Sequence, residues 1–167
     1  KNADEKLYPA SITKLMTALL VLEALDRDEI ALTDSVQISP RAAAMKGSQA
    51  LLDASAVYPL EDLLRTTIMA SANDSAVALS EYIAGSEENF VDRMNRRAAE
   101  LGMTNTNYVN CTGYPQSGQY TTARDVCRLC CEIAKHPRYN QYASVWIDKL
   151  THPGGRVTDL TNTNRLP

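Results

Sequence analysis

Apolar residues recur every three or four positions along several stretches of the chain, which is the spacing of helices with one buried face. The longest stretch, from Pro9 to about Asp26, predicts a mostly buried helix, because apolar residues cover a wide part of its surface. The same spacing predicts helices over Leu60 to about Ala70 and over Asp74 to Ala84. Another helix is predicted after Ser86, with one apolar face formed by Phe90, Met94, Ala98 and Leu101.

Capping residues mark where several of these helices begin and end. Ser86 is a suitable N-cap, and the acidic residues that follow it suit the positive end of a helix. The arginines of this helix are predicted to form its solvated side; they are Arg93, Arg96 and Arg97. Ser39 and Pro40 predict the start of a short helix that ends at Gly47. Thr122, with Asp125 three residues on, resembles a capping box.

Alternating apolar and polar residues predict a few short strands. Val36 and Ile38 alternate with polar neighbours in "DSVQIS", and two later segments, "ASVWID" and "RVTDLTN", are joined around "HPGG". The order is therefore helices first and strands late. An isolated hairpin is marginally stable, so these late strands either close on another chain or belong to a sheet whose other strands are missing here.

The composition limits the classes of function. With 167 residues, 44% of them hydrophobic and 22% charged, the chain has the size and balance of one soluble globular domain. A net charge of −3 with no basic stripe argues against nucleic acid as a partner. No apolar run approaches the ~18 residues of a membrane span, and Lys1 opens no signal-peptide pattern.

Four cysteines raise the question of a metal or redox site. Three of them, Cys127, Cys130 and Cys131, lie in a segment with helical spacing that must end before Pro137, and we interpret them as small core residues. A zinc site would require a second pair of ligands at matching spacing, which the sequence does not offer. A cysteine-based metal or redox module around Cys127 and Cys130 remains a minor alternative.

The segment "YPASITKLMT" places Ser11 and Lys14 three residues apart at the head of the first helix. Residues at this spacing share a helix face, so the lysine amine can reach the serine hydroxyl. A serine hydroxyl needs an adjacent base to act as a nucleophile. Burial and the positive end of a helix both lower the pKa of a lysine, so Lys14 is a candidate base; the alternative is that it extends to water.

A second polar group of residues lies at a predicted helix break in "ASAND". Ser71 and Asn73 offer a hydroxyl and an amide that could both face a cleft, for proton transfer and for a hydrogen bond to a substrate amide. Taken alone, such residues more often cap helices.

Both motifs, together with "MASANDSAVALSEYIAG", "FVDRMNRRAAELGMTNTNYVN" and "YTTARDV", closely resemble the serine D-alanyl-D-alanine carboxypeptidases, which are low-molecular-mass penicillin-binding proteins. The resemblance runs over nearly the whole chain. It implies an α+β fold of the β-lactamase/transpeptidase type, of which this chain covers mainly the helical region and lacks most of the antiparallel sheet. Residues 1–167 would then be a partial catalytic domain.

The resemblance also implies roles for the candidate residues. Ser11 would attack the penultimate D-alanine carbonyl of a peptidoglycan stem peptide, and β-lactams would acylate the same serine. Lys14 would act as base, Ser71 would relay a proton, and Asn73 would orient the peptide amide. No metal or organic cofactor is implied. The enzyme would work outside the cytoplasm, in the cell envelope, with a possible membrane attachment through a C-terminal segment not present here.

Two departures from the family pattern lead to further expectations. The sequence contains no K-T-G triplet, although "LTNTNRLP" resembles the segment just before it, and the strands before the first helix are missing. We therefore expect a piece of a longer enzyme, inactive alone, whose exposed apolar residues on the first helix and around Trp146 favour a homodimer. Gln119 stands where histidine is common in relatives, with an unknown effect.

Two alternatives compete with a carboxypeptidase. A class A β-lactamase would have S-D-N and a deacylating glutamate segment, whereas Ala72 occupies the middle position and no such segment is found. A non-catalytic helical binding or assembly module could retain both motifs as a relic. Labelling by a penicillin distinguishes this module from an enzyme, because only an activated serine becomes acylated.

Overall fold

A computed structural model describes residues 2–164; Lys1 and residues 165–167, the end of the "LTNTNRLP" segment, lie outside the described range. The helices of the described part are, in chain order, α1 (Thr13–Asp26), α2 (Pro40–Ala43), α3 (Leu60–Met69), α4 (Asn73–Ala84), α5 (Glu87–Glu100), α6 (Ala123–Ile133) and α7 (Pro137–Ala143). Its strands are β1 (Ser35–Gln37), β2 (Val57–Pro59), β3 (Ile147–Thr151) and β4 (Val157–Thr161).

The predicted helices are present and their predicted N-caps form, but α2 ends at Ala43 and not at Gly47, and the Asp125 carboxylate of the predicted capping box binds the Asn105 N–H. The side chains of Ser39, Ser86 and Thr122 each accept a hydrogen bond from a backbone N–H of the helix that follows. Gly85 ends α4 with a φ of +78°, a left-handed conformation that favours glycine. The first helix differs in one respect, because its first turn, Ala10–Ile12, is a 3₁₀ turn.

The core is built around α1. Met16, Leu19 and Leu22 are at most 1% exposed, which confirms the prediction of a mostly buried first helix. Helices α3, α4, α5 and α6 contribute the other large buried side chains, which include Leu63, Leu79, Phe90, Met94 and Leu129. Of the apolar residues in the Ala10–Ile12 turn, Ile12 is 47% exposed. Among the large apolar side chains of residues 9–26, the exposure expected on the first helix is thus found at Ile12, next to Ser11.

Two antiparallel pairs make up the sheet structure of the described residues. Strand β1 pairs with β2, with Val36 opposite Tyr58, and β3 pairs with β4, with Leu150 opposite Thr158. The β3–β4 hairpin buries Leu150 and Leu160 against the helices. Its opposite side is open, because Trp146, Ile147 and Val157 are 45%, 62% and 50% exposed. The predicted exposure around Trp146 is therefore confirmed.

The structure corrects the interpretation of the cysteines. Cys127, Cys130 and Cys131 are all exposed on α6, whereas Leu129 and Ile133 of the same helix are buried. The fourth cysteine, Cys111, is the buried one. Within residues 2–164, no group of three or more His, Cys, Asp or Glu side chains is arranged to hold a metal ion.

Arg97 also differs from its prediction as a solvated residue. Its guanidinium donates to Glu23 of α1 at 2.9 Å, to Glu132 of α6 at 3.1 Å and to Glu100 at 3.2 Å. The residue is only partly exposed and its carboxylate partners lie on α1, α5 and α6, whereas Arg93 and Arg96 are solvated as predicted. No helix in the described part of the chain is long and apolar enough to cross a membrane.

Candidate active site

Ser11 and Lys14 lie on consecutive turns at the start of α1. Ser11 is exposed in the 3₁₀ turn, and Lys14, in the first turn of α1, is only 5% exposed. The Lys14 ammonium nitrogen, Nζ, lies 3.3 Å from Ser11 Oγ. The close pairing expected from the three-residue spacing is present, and it joins an accessible hydroxyl to a buried amine.

The second contact of Lys14 comes from a distant part of the chain. Nζ donates a hydrogen bond of 2.7 Å to the backbone carbonyl of Thr112. Burial lowers the pKa of Lys14 from 10.5 to about 8, and the nearby Cys111 opposes this shift more weakly. A substantial fraction of Lys14 is therefore uncharged at mildly alkaline pH, as a general base for the Ser11 hydroxyl requires.

The Thr112 carbonyl belongs to a tight turn over residues 110–113. The side-chain oxygen of Asn110 accepts from the Gly113 N–H at 2.7 Å and from the Thr112 N–H at 3.3 Å, which makes an Asx-type turn. Gly113 has a φ of +78°, and a Cβ there would lie 1.8 Å from the carbonyl oxygen of Ala10. Only glycine allows this turn to approach the Ser11 segment so closely.

Additional hydrogen bonds hold the turn in place. Tyr8 donates its phenolic hydroxyl to the Gly113 carbonyl at 2.5 Å. Gln119, whose effect was an open question, accepts through Oε1 from the backbone N–H of Val109 at 3.1 Å and of Asn110 at 3.4 Å. Gln119 thus fixes the start of the turn whose carbonyl binds Lys14.

Ser71 lies at the break between α3 and α4, in a strained conformation with a φ of +55°. It faces the same cavity as Ser11 and Lys14, which has a volume of about 420 Å³. Among the described residues, the buried Ser71 Oγ has no hydrogen-bond partner. An unpaired buried hydroxyl lowers the stability of a protein whose cavity is empty. The same hydroxyl can form a hydrogen bond with a group that enters the cavity.

Asn73 occupies a different position from the other three residues. It is 6% exposed, and its Nδ2 donates to the Lys46 carbonyl at 2.6 Å. It does not line the 420 Å³ cavity, although Ser71 two residues earlier does. The next residue, Asp74, accepts from the backbone N–H groups of Ala50 and Leu52, which fixes residues 46–52 against the start of α4.

Of the four site residues predicted from the sequence, Ser11, Lys14 and Ser71 therefore line one cavity, and Asn73 lies outside its lining. Sequence reasoning did not identify the contribution of residues 110–113. The "NCTG" stretch, with an asparagine three residues before a glycine, is the local signal of a tight turn. Its contact with Lys14 spans 98 residues and has no local signal.

Comparisons with known proteins agree with this geometry. The peptidase S11 family model, described as D-alanyl-D-alanine carboxypeptidase, matches residues 1–167. The D-alanyl-D-alanine carboxypeptidase DacF of Bacillus subtilis is 41% identical over 166 residues, which are 99% of this chain and 43% of that protein. The D-alanyl-D-alanine carboxypeptidase DacC of Escherichia coli is 43% identical over 135 residues, 77% of this chain and 34% of its own length.

Solved structures are similar over almost the whole chain. The D-alanyl-D-alanine carboxypeptidase DacD of Francisella tularensis superposes with a TM-score of 0.90 at 31% identity, over 95% of this chain and 38% of that chain. Penicillin-binding protein 5 of Haemophilus influenzae superposes with a TM-score of 0.88 at 33% identity, over 97% of this chain and 47% of that chain.

The fold is therefore that of the penicillin-binding proteins and DD-transpeptidases, with the mainly helical part and two small sheets present here. The chain belongs to the D-alanyl-D-alanine carboxypeptidase family, peptidase S11. Both the fold class and the family predicted from the sequence are confirmed. The chain spans 43% and 34% of the lengths of DacF and DacC.

Proposed function

We propose that the protein to which this chain contributes is a serine-type D-alanyl-D-alanine carboxypeptidase that trims peptidoglycan stem peptides. The observation that carries this proposal is the buried Lys14 amine, which lies 3.3 Å from the accessible Ser11 hydroxyl and has a pKa of about 8. A lysine in this state can accept the proton that serine must lose to become a nucleophile. The names of the relatives supply the substrate class.

In the proposed reaction, Ser11 Oγ forms a bond to the carbonyl carbon of the penultimate D-alanine. Its proton passes to Lys14, and the terminal D-alanine leaves with a proton that returns through Lys14 and Ser71. Water then hydrolyses the ester on Ser11 and releases the shortened peptide. Backbone N–H groups, one of them from Ser11, would stabilise the oxyanion, and the loss of one such donor typically costs ~10²–10³ in rate.

Ser71 and Asn73 have separate proposed roles. Ser71 lines the same cavity as Lys14, and its buried hydroxyl has no partner among the described residues, which supports a role as a proton relay. Asn73 is anchored through Nδ2, so its Oδ1 is the end that would accept a hydrogen bond from the substrate amide. β-Lactams, which present a reactive amide carbonyl, would acylate Ser11 by the same first step.

A peptidoglycan substrate places the proposed enzyme outside the cytoplasm, in the cell envelope. The family's role for its K-T-G motif is to bind the substrate carboxylate, and residues 1–167 contain no such triplet. We therefore expect little or no turnover by this chain alone. Measuring turnover in two proteins tests this expectation. One protein is residues 1–167, and the other is an extended protein in which the chain is continued to the length of its relatives.

The exposed side of the β3–β4 hairpin supports a further expectation for residues 1–167 alone. Trp146, Ile147 and Val157 present apolar surface on a sheet that has two strands within residues 2–164, which favours association of two copies. Equilibrium sedimentation should show a dimer of residues 1–167, and a stable monomer at high micromolar concentration would contradict this expectation.

Intact-mass spectrometry after incubation with a penicillin tests the proposed function. The extended protein should gain the mass of one penicillin, and its Ser11→Ala variant should gain none. A folded extended protein without an adduct would favour a non-catalytic binding module that retains the motifs. An adduct that is hydrolysed rapidly, with repeated turnover of the penicillin, would favour a β-lactamase.

A further inference from the structure

Glu87 is a buried carboxylate that the proposed mechanism does not use. It is the first residue of α5 and is 6% exposed. One carboxylate oxygen, Oε2, accepts a hydrogen bond from Arg41, whose side chain is 49% exposed. The other oxygen, Oε1, accepts from the backbone N–H of Cys111 at 2.9 Å. The two oxygens of Glu87 therefore have different partners, one cationic and one in the backbone.

Cys111 is held at both of its backbone groups. Glu87 binds its N–H, and the Thr17 hydroxyl of α1 donates to its carbonyl at 2.7 Å. The residue is fully buried, and burial is the main cause that raises the pKa of its thiol, with the adjacent Glu87 as the second. Cys111 therefore contributes a neutral side chain, and its backbone links Glu87 of α5 to Thr17 of α1.

The residue after this fixed backbone is Thr112, whose carbonyl accepts from Lys14 Nζ at 2.7 Å. We propose that Glu87 is a positioning residue, which holds the Cys111 N–H so that the Thr112 carbonyl faces Lys14 and keeps the amine beside Ser11. This inference rests on the proposed function and goes beyond it, because Glu87 touches neither Ser11 nor Lys14.

The alternative is that Glu87 serves only its ion pair with Arg41. The two partners allow the roles to be separated. Loss of Arg41 leaves a buried charge without its cation, so the main effect should be on stability. Loss of the Glu87 acceptor leaves the Cys111 N–H unsatisfied and the turn free to shift, and a displacement of ~1 Å in a catalytic geometry can cost ~10² in rate.

Penicillin acylation of the extended protein, measured as a function of penicillin concentration, tests the proposal. It yields the dissociation constant of the initial complex and the first-order rate constant of acylation. Glu87→Ala should lower the rate constant by about 10–10²-fold and leave the dissociation constant unchanged. Glu87→Gln, which keeps an acceptor oxygen, should recover most of the rate. Glu88→Ala, at the exposed neighbouring residue, is the matched control and should acylate like the wild type.

Each outcome decides between the two roles. Wild-type acylation by a folded Glu87→Ala variant would overturn the positioning role and leave the proposed function intact. An equal loss of rate in the Ala and Gln variants would also overturn it. If Glu87→Ala does not fold, Glu87→Asp, whose shorter side chain draws the carboxylate away from the Cys111 N–H, decides by the same rate constant, and a wild-type rate would overturn the positioning role. Absence of acylation in the wild type would refute the proposed function instead.

Discussion

The Lys14 amine and the Thr112 carbonyl, 98 residues apart in the chain, form a buried hydrogen bond of 2.7 Å. This bond is shorter than the 3.3 Å between Lys14 Nζ and Ser11 Oγ. The carbonyl therefore fixes where the amine lies, and Ser11 approaches an amine that is already held in place. Preorganisation of this kind avoids the cost of arranging a base when the substrate arrives.

The pH dependence of acylation should report the ionisation of Lys14. Because burial lowers its pKa from 10.5 to about 8, the amine is mostly protonated at neutral pH and becomes a competent base as the pH rises. The first-order rate constant of penicillin acylation should therefore increase about tenfold per pH unit below pH 8 and level off above it. Stopped-flow measurements on the extended protein would follow this profile.

Lys14→Arg is the informative variant for this profile. It keeps the positive charge and the stem, but a guanidinium does not deprotonate in proteins and cannot accept the Ser11 proton. Acylation should fall by about 10²–10⁴-fold, the usual contribution of general-base catalysis. A rate constant independent of pH from about 6 to 10 would contradict the assignment of Lys14 as the base.

Replacement of Gly113 should be destabilising mainly because a side chain there would clash with a neighbouring segment, and only secondarily because of its positive φ. A Cβ at this residue would lie 1.8 Å from the Ala10 carbonyl oxygen, so Gly113→Ala forces the turn away from the Ser11 segment. We expect a loss of about 4 kcal/mol or more in the free energy of unfolding. Urea denaturation of both proteins would measure this loss.

Gly102→Ala is the matched control. Gly102 has a similar φ of +71°, but nothing lies within 4 Å of a Cβ placed there. It should cost only the ~1–2 kcal/mol of a left-handed backbone at a residue with a Cβ. Equal losses for the two variants would mean that the close approach of Gly113 to Ala10 does not contribute.

Local signals in the sequence were sufficient for much of the fold. The caps at Ser39, Ser86 and Thr122 were predicted correctly because each depends on a residue and the three that follow it. Pro137 was interpreted only as a stop, whereas it is also the start of α7. Strand β2, three residues long, was missed because it exists only through its pairing with β1.

For the site, too, the sequence predicted only contacts between residues that are near each other in the chain. Ser11 and Lys14 are three residues apart, so helix geometry alone places them in contact. The turn that holds Lys14 comes from residues 110–113, and no pattern around Lys14 indicates it. The cysteine interpretation failed for a related reason: helical spacing put Cys130 on the apolar face with Leu129, but only the packing of α6 decides which residues at the edge of a face are covered.

Gly47 should affect the site through Asn73. It has a φ of +88°, and a Cβ there would lie 2.9 Å from Asn73 Nδ2, the atom that is anchored to the Lys46 carbonyl. Gly47→Ala should therefore displace the Asn73 amide and lower the acylation rate. The backbone strain should cost about 1–2 kcal/mol of stability.

Gly118→Ala separates strain from displacement. Gly118 has the same φ of +88°, and its nearest neighbour, Val109 Cγ1, would lie at an ordinary 3.7 Å. Both variants should lose similar stability in thermal unfolding, but only Gly47→Ala should acylate more slowly. Equal acylation rates in the two variants would exclude an effect of Gly47 on Asn73.

The stability of the protein should depend on the protonation of His152. This residue is 2% exposed in the β3–β4 connection, where its Nδ1 lies 2.7 Å from the Tyr58 hydroxyl and 3.1 Å from an Arg156 nitrogen. Its Nε2 lies 2.8 Å from Thr158 Oγ1. A protonated ring here would place a second positive charge beside Arg156 in a buried site.

Burial, and then the charge of Arg156, lower the pKa of His152 below 6.5, while Asp53 and Asp74 oppose the shift. The unfolded chain therefore binds the proton more readily than the folded one. The stability associated with neutral His152 is fully present above pH 6.5 and is lost as the pH falls from 6.5 through the lower folded value. The melting temperature should decline over this range.

His152→Gln tests whether this histidine is responsible, because glutamine keeps hydrogen-bonding atoms but cannot take up the proton. Thermal unfolding of both proteins from about pH 7.5 to pH 5 should give a smaller decline for the variant, even if its stability is lower throughout. The difference between the two curves isolates His152 from the carboxylates, which titrate in both proteins. Parallel curves would show that the folded and unfolded states bind the His152 proton equally, and the buried contact with Arg156 would then have no influence on stability in acid.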